Sequence, residues 1–240
     1  MKIEERERLC IEVIRKFPRK FVLIGGYATS AFEFPRFSVD LDLVVQGKDL
    51  KEFEKVLEKD GFELIQEAGE FSEVYKGKFI RFEKKVNALP VSVDLFVDMV
   101  QSRQTNAAYS FAYLWKNSEI RRIVASGVKE YGEARVADRE MLIALKINSL
   151  RKADQRDIIS LCGGTLDISR LSKHLERAPR ERILGHMDIL LKTLADPKSK
   201  DSIKGVFGIS DDVYKKIIEK ATRELSLVKE GFSSKSKITK

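Results

Sequence analysis

Apolar residues recur at helical spacing from Ile3 through Leu9, Ile11, Val13 and Ile14 to Phe17, which predicts a first helix over residues 3–16, stopped by Pro18. The uninterrupted run Phe21 to Ile24, closed by Gly25 and Gly26, has the form of a short buried strand. A short helix is then expected from Tyr27 to Phe34, ended by Pro35. Period two takes over next. Val39, Leu41 and Leu43 alternate with Asp40 and Asp42, so a strand over 39–45 buries the apolar set and projects both carboxylates from its other face. Phe53, Val56 and Leu57 mark an amphipathic helix over 50–59. Short strands are expected at 62–66, 74–75 and 79–82, a longer one at 91–98, a helix at 106–115, and two more strands at 120–125 and 134–137. Asp138 is placed to cap a helix over 139–150. Beyond it the pattern is helical only, at 154–161, 168–175, 179–194 and 211–228, with turns at Gly163-Gly164 and Asp196-Pro197.

Strands followed by a run of helices place the chain in the α+β class: a mixed β-sheet with flanking helices, then an all-helical C-terminal domain. The boundary falls near residue 137, giving domains at 1–137 and 138–232 and a flexible basic tail at 233–240. With 240 residues, 43% of them hydrophobic, the chain has enough apolar material for a substantial core. No segment approaches the roughly 20 apolar residues that span a bilayer, and the N-terminus MKIEERERLC is charged, so a cytoplasmic protein with no membrane partner is expected. Cys10 and Cys162 lie far apart in apolar helical settings and read as buried thiols, not as a disulfide or thiolate metal site. The net charge of +8 favours anionic partners such as nucleotides or RNA, although the basic residues are spread along the chain.

Two carboxylates held together on one strand face raise each other's pKa and are unfavourable unless a positive group neutralises them. Asp40 and Asp42 therefore read as a divalent-metal pair, with Mg²⁺, or Mn²⁺ in its place, the cation whose preference for carboxylates plus substrate phosphates fits best. The bland alternative is two solvated aspartates on an edge strand. Asp94, in the strand after Pro90, tips the balance: if that strand lies beside 39–45, a third carboxylate joins the pair. Gly25-Gly26 fits the same picture, since glycines let backbone N–H groups approach a phosphate. Asp98 ends its strand and reads as a turn residue, and His174 and His186 lack metal-ligand spacing. Tyr109, Phe111, Tyr113 and Trp115 read as core packing more readily than as a base-stacking platform.

The order Gly-Gly, Asp-x-Asp, distal Asp over residues 20–98 resembles the DNA polymerase β-like nucleotidyltransferase superfamily. The segment EMLIALKINSLRKADQRDIISL, from Glu140 to Leu161, is similar to the AbiEii/AbiGii toxin family, in which a helical Lys is followed by an Arg-Asp pair, here Lys146, Arg156 and Asp157. The resemblance covers about two thirds of the chain and implies a nucleotidyltransferase-type sheet. It also implies Mg²⁺-dependent transfer of a nucleotide from a nucleoside triphosphate to an acceptor, RNA such as tRNA in some members, and the toxin role of a toxin–antitoxin pair, with an antitoxin protein as partner. Carried over residue by residue, Asp40, Asp42 and Asp94 would hold metal and carry the chemistry together with Lys146. Gly25, Gly26, Ser38, Lys146 and Asp157 would contact nucleotide. Lys146 sits in an apolar helical stripe, so a structural ion pair with Asp157 is its alternative role. Tyr27 departs from the small or hydroxyl residue that usually follows the Gly-Gly, and Arg36 and Ser38 supply a polar lead-in to the acids. Two other readings share the fold: a non-catalytic nucleotide- or RNA-binding relative, and an adenylyltransferase acting on a small molecule.

Overall fold

The computed structural model describes residues 2–18, 20–69 and 77–234, so the strand expected at 74–75 and most of the expected tail lie outside the described residues. The chain divides into two compact units, Met1–Gln101 with Tyr109–Asp138, and Ser102–Ala108 with Arg139–Lys240.

The first unit begins with helix α1 (Lys2–Lys16), strand β1 (Phe21–Ile24), helix α2 (Gly25–Ser30) and strand β2 (Asp40–Val45). Helix α3 (Leu50–Lys59) follows, then strands β3 (Glu63–Ala68), β4 (Lys78–Val86), β5 (Leu89–Val97), β6 (Met99–Gln101) and β7 (Ala108–Ser110). Helix α4 (Phe111–Lys116) and strands β8 (Ser118–Val124) and β9 (Tyr131–Ala137) complete it. Seven strands form one mixed sheet in the order β3-β4-β5-β2-β1-β9-β8, and β6 and β7 pair separately. β2 runs parallel to β5, and β1 parallel to β9. The other neighbours in the large sheet are antiparallel.

Register sorts the sheet into two faces. Phe21 pairs with Val45 and Leu23 with Leu43, while Ile80 pairs with Leu95 and Phe82 with Val93; all are buried. Phe17, Phe21 and Phe53 meet on this face with ring centroids 5.2 to 6.1 Å apart, which packs α1 and α3 against it. The alternate residues of β2, β4 and β5 face the other way, and there the polar set gathers.

In the second unit the helices are α5 (Arg139–Ser149), α6 (Lys152–Leu161), α7 (Ile168–Leu175), α8 (Arg180–Ala195), α9 (Ser199–Phe207) and α10 (Asp211–Ser234). Helix α10 packs along α6, α7, α8 and α9, burying Ile217, Ala221, Leu225 and Val228. The segment 102–108 joins this unit through Asn148: Ser102 Oγ donates to its carbonyl at 2.8 Å and Thr105 Oγ1 to its side-chain oxygen at 2.5 Å. Among the described residues no helix is long and apolar enough to cross a membrane.

Several elements differ from the sequence reading: β4 runs on to Val86 where a strand ending at 82 is expected, and β6 is not anticipated. Helix α2 starts at Gly25 and ends at Ser30, not Phe34, because Ser30 Oγ bonds both the N–H and the carbonyl of Arg36 at 3.1 Å and folds the chain back. The expected helix at 106–115 begins only at Phe111: Asn106 has a φ of 58°, residues 108–110 form β7, and Ser110 caps α4 by accepting from the Tyr113 N–H at 3.3 Å. Helix α9 went unread because Ile203 and Phe207 are its only buried apolar residues.

Candidate active site

β2 presents Leu41 and Leu43, both fully buried, to one side and Asp40 and Asp42 to the other, where Asp40 is exposed and Asp42 half-buried. The parallel register of β2 and β5 sets Asp40 beside Ser92 and Asp42 beside Asp94. The distal acid thus stands on the neighbouring strand, on the same face and in the same row as one member of the pair.

Gly25 and Gly26 pack directly onto this acidic strand. Gly25 has a φ of 70°, and a Cβ there would lie 1.8 Å from Asp42 Oδ2. A Cβ on Gly26 would lie 2.6 Å from Ser38 Oγ and 3.1 Å from Arg36 Nη2. Both positions therefore need glycine, the first for its backbone and both for space. The lead-in to β2 is pinned from below: the buried Tyr27 donates its hydroxyl to the Ser38 carbonyl at 2.9 Å, and Thr29 Oγ1 donates to the Gly25 carbonyl at 3.0 Å. Burial, together with Cys10 beside it, drives the Tyr27 phenol far above its usual range, so it remains a neutral hydrogen-bond donor. Tyr27, which departs from the resembled pattern, thus serves as a prop for Ser38.

Each outer carboxylate has a partner. Ser92 Oγ donates to Asp40 Oδ1 at 2.5 Å. Arg81, on β4 directly opposite Asp94, donates Nε to Oδ1 and Nη2 to Oδ2, both at 2.7 Å. This is a fork-to-fork pair in which the aspartate side chain is 7% exposed and the arginine side chain 36%. The hydrogen bond to Asp94 raises the Arg81 pKa further still. Asp98 lies outside this face: with a φ of 65° it turns the chain, and Oδ1 accepts from the Gly47 N–H at 2.8 Å.

The donor set suits a hard divalent cation, since three carboxylates on adjacent strands supply oxygen ligands only. As they stand, no three His, Cys, Asp or Glu side chains among the described residues are gathered as a metal cage. Both oxygens of Asp94 are bonded to the Arg81 guanidinium.

Lys146 and Asp157 belong to the second unit. Lys146 is 5% exposed and lies 2.6 Å from Asp157 Oδ2 and 3.6 Å from Asp154 Oδ1. Asp154 is held in turn by Arg151 and Ser149. The pair links α5 to α6, and Arg156 instead reaches Ser202 at 3.1 Å. His186 meets the Ile147 carbonyl through Nδ1 at 2.6 Å, and His174 is buried. Cys10 and Cys162 are both buried and free, and burial pushes each thiol up to about 12.

The family model described as Nucleotidyl transferase AbiEii toxin, Type IV TA system, matches residues 12–159, more than half of the chain. The chain belongs to the AbiEii nucleotidyl transferase toxin family. The matched stretch contains Gly25, Gly26, Ser38, Asp40, Asp42, Asp94, Lys146 and Asp157. Among solved structures, that of JHP933 from Helicobacter pylori is similar at 15% identity and a TM-score of 0.44, covering 98% of this chain and 93% of that one. A putative nucleotidyltransferase from H. pylori is similar at 16% identity and a TM-score of 0.40, covering 96% of this chain and 95% of that one. The antibiotic-resistance factor ANT(2'')-Ia is similar at 16% identity and a TM-score of 0.45, covering 71% of this chain and 91% of that one. All three likenesses are distant. Among curated proteins none matches.

Sequence reasoning missed two members of this candidate site, Arg81 and Ser92 in its bond to Asp40. A signal for Arg81 existed. Asn87 and Ala88, with φ of 52° and 66°, form a two-residue turn joining Val86 to Leu89, and counting outward from that turn sets Arg81 opposite Asp94.

Proposed function

We propose that this AbiEii-family chain is a Mg²⁺-dependent nucleotidyltransferase that moves a nucleotide from a nucleoside triphosphate to an acceptor hydroxyl on RNA, as the toxin of a cytoplasmic toxin–antitoxin pair. The observation that carries the reading is the register of β2 and β5, which brings Asp40, Asp42 and Asp94 onto one sheet face beside the glycines that pack on Asp42. Three carboxylates so placed cost stability and repel a polyanion unless a cation joins them, which argues against a purely binding role.

In this reaction the acceptor oxygen forms a bond to the α-phosphorus, the bond from that phosphorus to the bridging oxygen breaks, and pyrophosphate leaves. The acceptor proton passes to a carboxylate of the cluster. Asp40, Asp42 and Asp94 would hold the cation, which supplies charge neutralisation at the triphosphate. Ser38 and Arg36, packed against Gly26 at the lead-in to the acidic strand, are polar groups suited to gripping phosphate oxygens. The structure supports the ion-pair role for Lys146: it holds α5 to α6 through Asp157, and its effect on transfer comes through the integrity of the second unit.

The test is incubation of the protein with Mg²⁺ and each α-labelled nucleoside triphosphate, offering total RNA, total protein and a panel of small hydroxylated molecules as acceptors. Label in RNA that is lost in Asp40→Asn and Asp42→Asn supports the proposal. Label in small molecules alone replaces the acceptor, and tight RNA binding with no transfer to any acceptor overturns the catalytic reading.

A further inference from the structure

Arg81 belongs to none of the positions carried over from the family resemblance, yet it grips Asp94 with two parallel charge-assisted hydrogen bonds. We propose that Arg81 is a resident counter-ion that holds Asp94 until a divalent cation binds, so that loading the site is an exchange of arginine for metal. This rests on the metal-dependent reading above.

Three observations carry it. The cross-strand row through β4, β5 and β2 runs Arg81, Asp94, Asp42, so the guanidinium lies on the same sheet face as the acids and next to the distal one. Both Asp94 oxygens are engaged by Arg81, at 2.7 Å each. The aspartate side chain is 7% exposed and the arginine 36%, so the arginine is the partner with room to move. In the same position the guanidinium carbon lies 5.7 Å from the centre of the Phe79 ring on its own strand, a contact that does not depend on Asp94.

The physical logic is one of charge. Three carboxylates on two adjacent strands repel one another, and a single guanidinium relieves that repulsion in part. A divalent cation would bring twice the charge, with Asp40, Asp42 and Asp94 as the residues that would hold it, and would compete with the arginine for Asp94. The arginine keeps the acidic face folded and sets a threshold of metal concentration for assembling it.

The experiment titrates Mn²⁺, followed by electron paramagnetic resonance, into the wild type and into Arg81→Met, Asp94→Asn, the double variant and Asp42→Asn. Removing the competitor should tighten Mn²⁺ binding in Arg81→Met about tenfold, the scale of one displaced charge-assisted pair. That gain should vanish when Asp94→Asn is added. Unchanged or weaker binding in Arg81→Met, or a gain that survives Asp94→Asn, overturns the exchange. If Mn²⁺ binding needs Asp42 but ignores Arg81, the exchange alone fails; if no variant shows Asp42-dependent binding, the metal reading fails and the exchange with it. Should Arg81→Met not fold, the wild type suffices: the Nε–H resonance of Arg81, assigned with Arg81→Lys, should shift on adding Mg²⁺. An unmoved resonance at saturating Mg²⁺ overturns the exchange.

Discussion

Replacing Gly25 with alanine imposes two separable strains at one position. The first is conformational: a φ of 70° in a residue with a Cβ costs about 1–2 kcal/mol, reduced by about 0.4–1 kcal/mol because alanine also has less freedom in the unfolded chain. The second is steric. A Cβ there would lie 1.8 Å from Asp42 Oδ2, so the carboxylate or the backbone must give way by about 1.5 Å to restore ordinary contact. Overpacking of that kind adds about 1–3 kcal/mol. Gly208 is the control, since its φ of 63° is nearly the same and nothing lies within 4 Å of the Cβ it would gain. Gly208→Ala should therefore cost about 1 kcal/mol and leave transfer intact. Gly25→Ala should cost about 2–4 kcal/mol and lower transfer about 100-fold, because a displacement of about 1 Å in a reacting group has that effect. Trp115, the sole tryptophan, lies in the first unit, so its fluorescence in a urea titration follows the unit that carries Gly25. Far-UV circular dichroism follows the helical unit that carries Gly208. If the two variants lose the same stability and both keep full transfer, Gly25 is not the seat of Asp42 and the argument from close packing is wrong.

Asp40→Asn with Asp42→Asn should abolish transfer and leave the thermal midpoint in chelator unchanged or higher, since like-charge repulsion is removed; a fall of more than a few degrees would make the pair structural. Lys146→Ala removes the cation that faces buried Asp157 and should cost about 3–5 kcal/mol, whereas Lys146→Met with Asp157→Leu should cost much less than the sum of its parts in a double-mutant cycle; additive losses would contradict the pairing. Burial, aided by Arg170, Arg177 and Lys173, lowers the His174 pKa from 6.5 to about 4. The unfolded chain therefore takes up a proton before the folded one, and stability should decline as pH falls from 6.5 toward 4. His174→Gln should flatten that part of a melting-temperature profile, and an unchanged slope would assign the acid sensitivity elsewhere.

What the sequence made legible was whatever its local period encoded. β2 was readable because Leu41 and Leu43 must bury and Asp40 and Asp42 cannot, so alternation alone set the face. The parallel pairing of β2 with β5 was expected only as a condition, because strand order is a tertiary property with no local signature. Arg81 escaped notice for the same reason: a lone arginine in a strand reads as solvated until the turn at Asn87 and Ala88 fixes its register against Asp94. Side chains overrode the pattern elsewhere. Ser30 ends α2 four residues before Phe34 through bonds to Arg36, and Ser110 sets the start of α4 through its cap. Lys146 was legible in part. Its inward placement was legible, but its engagement by Asp157 and Asp154 depends on how α5 and α6 pack.

The most direct measurement of the central claim pairs two labels on one nucleoside triphosphate, one on the α-phosphate and one on the γ-phosphate, with RNA as acceptor and Asp42→Asn as control. The account predicts that α-label enters the RNA while γ-label is released as pyrophosphate, and that both events stop in the variant. Entry of γ-label into the acceptor, or α-label transfer that survives Asp42→Asn, would contradict it.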